Sequence, residues 1–127
     1  MKKLFLSLML FVGISAGAQT IRGSVLEAQT CRFDNNGGYR VVKRMAMTGS
    51  FIRITNDFMR ITGNGSNRYY RLDNKVVGND VAHYDAVANG KLYTLAVREC
   101  EGKLIVGLLP MNGDSKFIQY IVKTFKK

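Results

Sequence analysis

Residues 81–108 read VAHYDAVANGKLYTLAVRECEGKLIVGL and contain two turn dipeptides, Asn89-Gly90 and Glu101-Gly102. Asn-Gly between alternating apolar residues is a strong hairpin signal, because a type I′ turn needs positive φ at both central positions. Folding the chain at Asn89-Gly90 sets Val87 opposite Leu92, Ala86 opposite Tyr93, Tyr84 opposite Leu95 and Ala82 opposite Val97. Ala82, Tyr84, Ala86, Tyr93, Leu95 and Val97 then share one face, and His83, Asp85, Thr94 and Arg98 share the other. A second fold at Glu101-Gly102 sets Val97 against Val106 and Leu95 against Leu108, extending the same apolar face. A one-residue slip would turn all of these side chains outward, so the agreement of three strands predicts an antiparallel meander in this register.

The stretch just upstream behaves the same way. Residues 51–62, FIRITNDFMRIT, fold at Asn56-Asp57 and place Ile52, Ile54, Met59 and Ile61 on one face. Phe51, Arg53, Thr55, Phe58, Arg60 and Thr62 fall on the other, with Arg53 directly opposite Arg60. Across the chain, Asn35-Asn36-Gly37-Gly38, Gly63-Asn64-Gly65-Ser66 and Asn112-Gly113 add further turn signals, at a spacing of about 8 to 14 residues. Runs rich in Ile, Val, Tyr, Phe and Thr lie between them, near 26–32, 39–47, 51–55, 58–62, 67–72, 81–87, 91–99, 103–109 and 116–125. Residues 24–29 could form a single helical turn. There is one proline, Pro110, and no helical periodicity over three turns. The expected fold is all-β: an antiparallel meander of seven to nine short strands forming a small barrel, with a two-sheet sandwich as the alternative. The shape resembles lipocalin-like barrels. The chain has no tryptophan and no Gly-x-Trp motif, so the resemblance is one of architecture.

The N-terminus carries Lys2 and Lys3, then an apolar run from Leu4 to Ile14, then Ser15-Ala16-Gly17-Ala18. This is the order of a secretory signal peptide, with an A-x-A cleavage site before Gln19. The run is shorter than the roughly 20 residues that span a membrane. The expected organisation is a signal peptide at 1–18 and one β domain at 19–127, exported to the periplasm or medium. The short n- and h-regions resemble bacterial signals. After cleavage no apolar span remains. A transmembrane barrel is also disfavoured, because the best hairpins put charge on their outer face.

Cleavage removes two of the 19 basic residues and none of the 9 acidic ones, leaving a net charge near +8. Such a charge favours anionic partners: acidic glycan, lipid head groups or an acidic protein surface. An exported protein meets nucleic acid rarely, which disfavours that class. Cys31 and Cys100 would both enter an oxidising compartment. A disulfide between them would close a loop of about 70 residues and stabilise by roughly 4 kcal/mol in the chain-entropy account.

The functional reading is a binding or interaction module rather than an enzyme. Like charges directly opposite one another destabilise a strand pair. Arg53 and Arg60 therefore need an offset, such as an acidic neighbour or an anionic ligand. With Phe51 and Phe58 on their face, and Arg68 and Arg71 one strand further on, they form the candidate binding surface. A second reading is a carrier of a small apolar ligand, with a cavity ringed by Ile52, Ile54, Met59, Tyr84 and Leu95; 109 residues favour a filled core instead. A third is a small hydrolase using His83 and Asp85, which point the same way on one strand. One histidine with scattered carboxylates makes no metal site, and no cofactor motif is present.

Overall fold

The computed structural model describes residues 20–125, and the signal peptide expected at 1–18 lies outside the described residues. The turns take the backbone that tight hairpins demand. Asn89 and Gly90 have φ of 51° and 78°, and Glu101 and Gly102 have 50° and 80°. Eight strands result: β1 (Ile21–Phe33), β2 (Tyr39–Ile54), β3 (Phe58–Gly63), β4 (Ser66–Val77), β5 (Val81–Ala88), β6 (Lys91–Cys100), β7 (Lys103–Pro110) and β8 (Lys116–Thr124). Each pairs antiparallel with the next, and β8 returns to β1, so the sheet closes into a barrel. Closure excludes the two-sheet sandwich and removes the edges that an open sheet would expose.

The registers read from the turns hold. Ile52 faces Ile61 and Arg53 faces Arg60 across β2–β3. Tyr84 faces Leu95 across β5–β6, and Leu95 faces Leu108 across β6–β7. Two readings change. The runs at 39–47 and 51–55 form one strand, because Gly49, at φ 90°, bends β2 without ending it. Residues 24–29 are strand, with a bulge at Leu26 in place of a helical turn.

Inward-facing residues from every strand pack into one core, including Val25, Ile54, Met59, Leu72, Leu95, Val106 and Val122. Ile52, Ile54, Met59, Tyr84 and Leu95 are only 0–4% exposed. They belong to one packed cluster, which fills the half of the barrel toward the ends of the described chain. Lys75 closes this end from a bulge in β4, donating a hydrogen bond to Asn56 Oδ1 at 3.1 Å while its ammonium lies 5.9 Å from the Tyr84 ring centre. Burial lowers the Lys75 pKa.

The β1–β2 hairpin end leans across the outer wall. Phe33 and Tyr39 pack on Phe117 with ring centres 4.7 and 5.3 Å apart, and Arg98 of β6 donates to the Tyr39 hydroxyl at 3.5 Å. This cover explains why the outward-facing Cys31, Phe117 and Gln119 are buried. Gln119 donates to Gln29 at 2.7 Å, and Gln29 donates to Glu27 at 2.6 Å, so the covered polar groups are paired.

The disulfide expected between Cys31 and Cys100 does not form; both thiols are free. Cys31 pairs with Phe117 near one barrel end, and Cys100 pairs with Lys103 at the other. They stand about six residues apart along the strands, roughly 20 Å at the strand rise, where a disulfide needs Cα atoms within about 7 Å. Burial raises the Cys31 pKa, partly countered by Arg44, so this thiol is a structural one.

Candidate ligand-binding surface

The barrel's outer wall across β1–β4 carries a row of cations. Arg22 of β1 pairs with Arg53 of β2, Arg53 with Arg60 of β3, and Arg60 with Tyr69 of β4. Two residues along, Phe58 pairs with Arg71. Strand alternation sends all of these side chains outward, because their neighbours Ile52, Ile54, Met59, Ile61 and Tyr70 fill the inside.

The opposed arginines are offset by aromatic rings rather than by acids. Phe58 and Tyr69 stack with centres 5.5 Å apart. The Arg60 guanidinium lies 5.8 Å from the Phe58 ring centre and 5.3 Å from that of Tyr69, and Arg53 lies 5.7 Å from Phe58. Each such contact stabilises by about 0.5–1 kcal/mol at an exposed site. Beside the arginine row, Arg71 pairs with Asp73 at 3.9 Å, with both side chains about two-thirds exposed. Such a pair contributes little.

Large apolar groups flank the arginines. Phe51 is 47% exposed and Phe125 54%, with their rings 6.3 Å apart. Tyr69 is 47% exposed. The expected surface of Arg53, Arg60, Phe51, Phe58 and Arg71 is therefore assembled on one wall, and Arg22, Tyr69 and Phe125 extend it. Arg22 joins through β1–β2 pairing, across about 30 residues of sequence, and no local pattern announces it. Arg68 is a correction. It is three residues from Arg71 on one strand, so it takes the opposite face and turns into the barrel mouth, beside Tyr70 and Thr30.

His83 and Asp85 are both exposed on the outer wall, on the opposite side of β4 from the arginine row. Asp85 accepts a hydrogen bond from Asn74 at 2.7 Å. Neither residue lines any of the three hollows found at the other barrel end. Among the described residues, no three His, Cys, Asp or Glu side chains gather in a way that could hold a metal ion. No family model, curated protein or solved structure matches this chain.

Proposed function

We propose that the protein is an exported, non-enzymatic binding domain that attaches to an anionic surface through its β1–β4 wall. The observation that carries this reading is the row Arg22, Arg53, Arg60, in which Arg53 lies over Phe58 and Arg60 over Phe58 and Tyr69, flanked by the exposed rings of Phe51 and Phe125. Guanidinium edges match phosphate, sulfate and carboxylate oxygens. Exposed aromatic rings beside them suit the boundary of a lipid head-group layer, or the face of a sugar. The wall is convex, which fits an extended surface better than a small free ligand.

The test is binding to vesicles with and without an anionic phospholipid, together with an acidic glycan array, at low and physiological salt. Arg53→Ser/Arg60→Ser should weaken attachment about tenfold or more, since each basic residue near such a surface contributes about 1 kcal/mol. Retained affinity in the double variant, or binding that ignores both charge and salt, would discard the surface. Preference between vesicle and glycan names the ligand class.

Export is the second part of the proposal, and it is compatible with the fold. β1 starts at Ile21, so removal of 1–18 takes away none of the described strands. Expressed in a bacterium, the protein should be recovered outside the cytoplasm with an intact mass beginning at Gln19. A cytoplasmic protein retaining residues 1–18 would overturn this.

A further inference from the structure

The barrel's two ends differ. The end toward the β2–β3, β4–β5 and β6–β7 turns is filled, as described above. The other end, bounded by the β1–β2, β5–β6 and β7–β8 turns, is hollow. One cavity of about 350 Å³ lies between β4, β6, β7 and β8, and a narrower one of about 110 Å³ lies between β1, β2 and β8. Both are lined by Thr30, Arg68 and Ile118, so they meet at Arg68. A volume of this order suits a small molecule.

Arg68 is the unusual residue. It occupies an inward-facing position, two residues from the buried Tyr70, on a barrel whose other inward positions are mostly apolar. It forms no ion pair among the described residues. Its guanidinium lies beside Tyr70 and Tyr120, where its positive charge favours their ionised form and partly counters the effect of burial. Tyr93 closes the group, its ring edge-on to Tyr70 with centres 5.8 Å apart. Arg68, Tyr70 and Tyr120 thus present a cation and two O–H donors to one another's neighbourhood, at the meeting point of two cavities. Lys43 and Lys116 stand on the lining as further cations against the single carboxylate of Asp114. The remaining wall is apolar, including Leu108, Pro110 and Ile118.

The geometry points to a second binding site at this mouth, for a medium-chain anionic amphiphile: its carboxylate on Arg68, Tyr70 and Tyr120, its chain against Leu108, Pro110 and Ile118. Net positive lining around one unpaired guanidinium selects an anion. The apolar wall immediately beside it selects a ligand with a hydrocarbon part over a bare ion. This site lies inside the barrel, on the opposite face of β4 from the arginine row, and does not depend on that surface.

The experiment is titration of the protein with decanoate, decanol, decyltrimethylammonium and inorganic phosphate, followed by amide chemical shifts. Decanoate should shift Thr30, Leu108 and Ile118 specifically, and decanol and the ammonium should bind far more weakly. Arg68→Met keeps an unbranched stem, removes the charge and should weaken decanoate about ten- to hundredfold, the loss of a hydrogen bond to a charged group. Tyr70→Phe, a gentler change, should weaken it by a smaller factor. Arg53→Ser/Arg60→Ser should leave decanoate binding unchanged, which separates this site from the outer wall. Three results would each overturn the proposal: decanol binding as tightly as decanoate, phosphate reproducing the same shifts, or no loss in either mouth variant.

Discussion

Gly63→Val should unfold the barrel, or leave it so weakened that its urea midpoint falls below that of any single surface variant. Gly63 ends β3 with φ at 119°, a region that valine does not occupy. A Cβ placed there would stand 2.2 Å from the Gly49 carbonyl oxygen and 2.8 Å from the Ser50 Cα. Both contacts are with backbone, so no side chain can swing aside. Relief would require β2 and β3 to part where the β3–β4 turn is tied down. There Asn64 donates to the Thr48 carbonyl at 2.7 Å and to the buried Ser50 hydroxyl at 3.4 Å. Backbone strain and lost pairing together place the cost at about 4 kcal/mol or more, a large part of the 5–15 kcal/mol typical of a domain. Gly90→Ala separates the two causes. Gly90 has φ of 78° but nothing within 4 Å of a built Cβ. It should lose only the left-handed backbone penalty of about 1–2 kcal/mol. If the two variants unfold at the same urea concentration, the close approach of β2 and β3 at Gly63 is wrong.

The second large effect is alkaline. Tyr70, Tyr84 and Tyr120 are all buried, and in each case burial is the largest cause raising the hydroxyl above its ordinary value of 10.0. Arg68 pulls Tyr70 and Tyr120 partway back, and Tyr93 pushes both upward. For these groups the folded state holds its proton more tightly than the unfolded chain. Their contribution is complete below pH 10 and is lost as pH rises through the raised folded values. While all three titrate differently in the two states, stability should fall by up to about 4 kcal/mol per pH unit. Lys75 acts in the opposite sense, since its folded pKa is lowered from 10.5 and stability recovers as pH rises toward that value. It is a single, half-buried group and offsets only part of the fall. Urea unfolding between pH 8 and 11.5 measures the slope. Tyr84→Phe removes the tyrosine whose shift has burial as its only cause, so its alkaline slope should be about a third shallower. An unchanged slope in that variant, or stability flat through pH 11, would refute the assignment.

The hairpins were legible because their determinants are local. Asn56-Asp57, Asn89-Gly90 and Glu101-Gly102 sit between runs of period-two alternation, and a turn plus that alternation allows one register. The opposition of Arg53 and Arg60, and the apolar face from Ala82 to Leu108, follow from those residues alone. So does the placement of Phe51 and Phe58 beside the arginines. The strand pattern also made a barrel the leading expectation. What it left open was whether the sheet closes, since β8 meets β1 through pairs such as Gly23 with Thr124, about a hundred residues apart.

Long-range placement decided the rest of the site. Arg22 reaches Arg53 only through the β1–β2 pairing, which passes over the bulge at Leu26. Tyr93 and Tyr120 meet Tyr70 and Arg68 only because closure brings β4, β6 and β8 around one mouth. Cys31 and Cys100 share no neighbourhood, because each is held in its own row of the barrel. The division has one physical reason. Side-chain alternation and turn geometry are set by adjacent residues, so the sequence determined the strands, their hairpin registers and the polarity of their faces. Which distant faces come together depends on closure and on bulges such as those at Leu26 and Asn74–Lys75, each of which shifts the row that follows, and only the tertiary structure decided that.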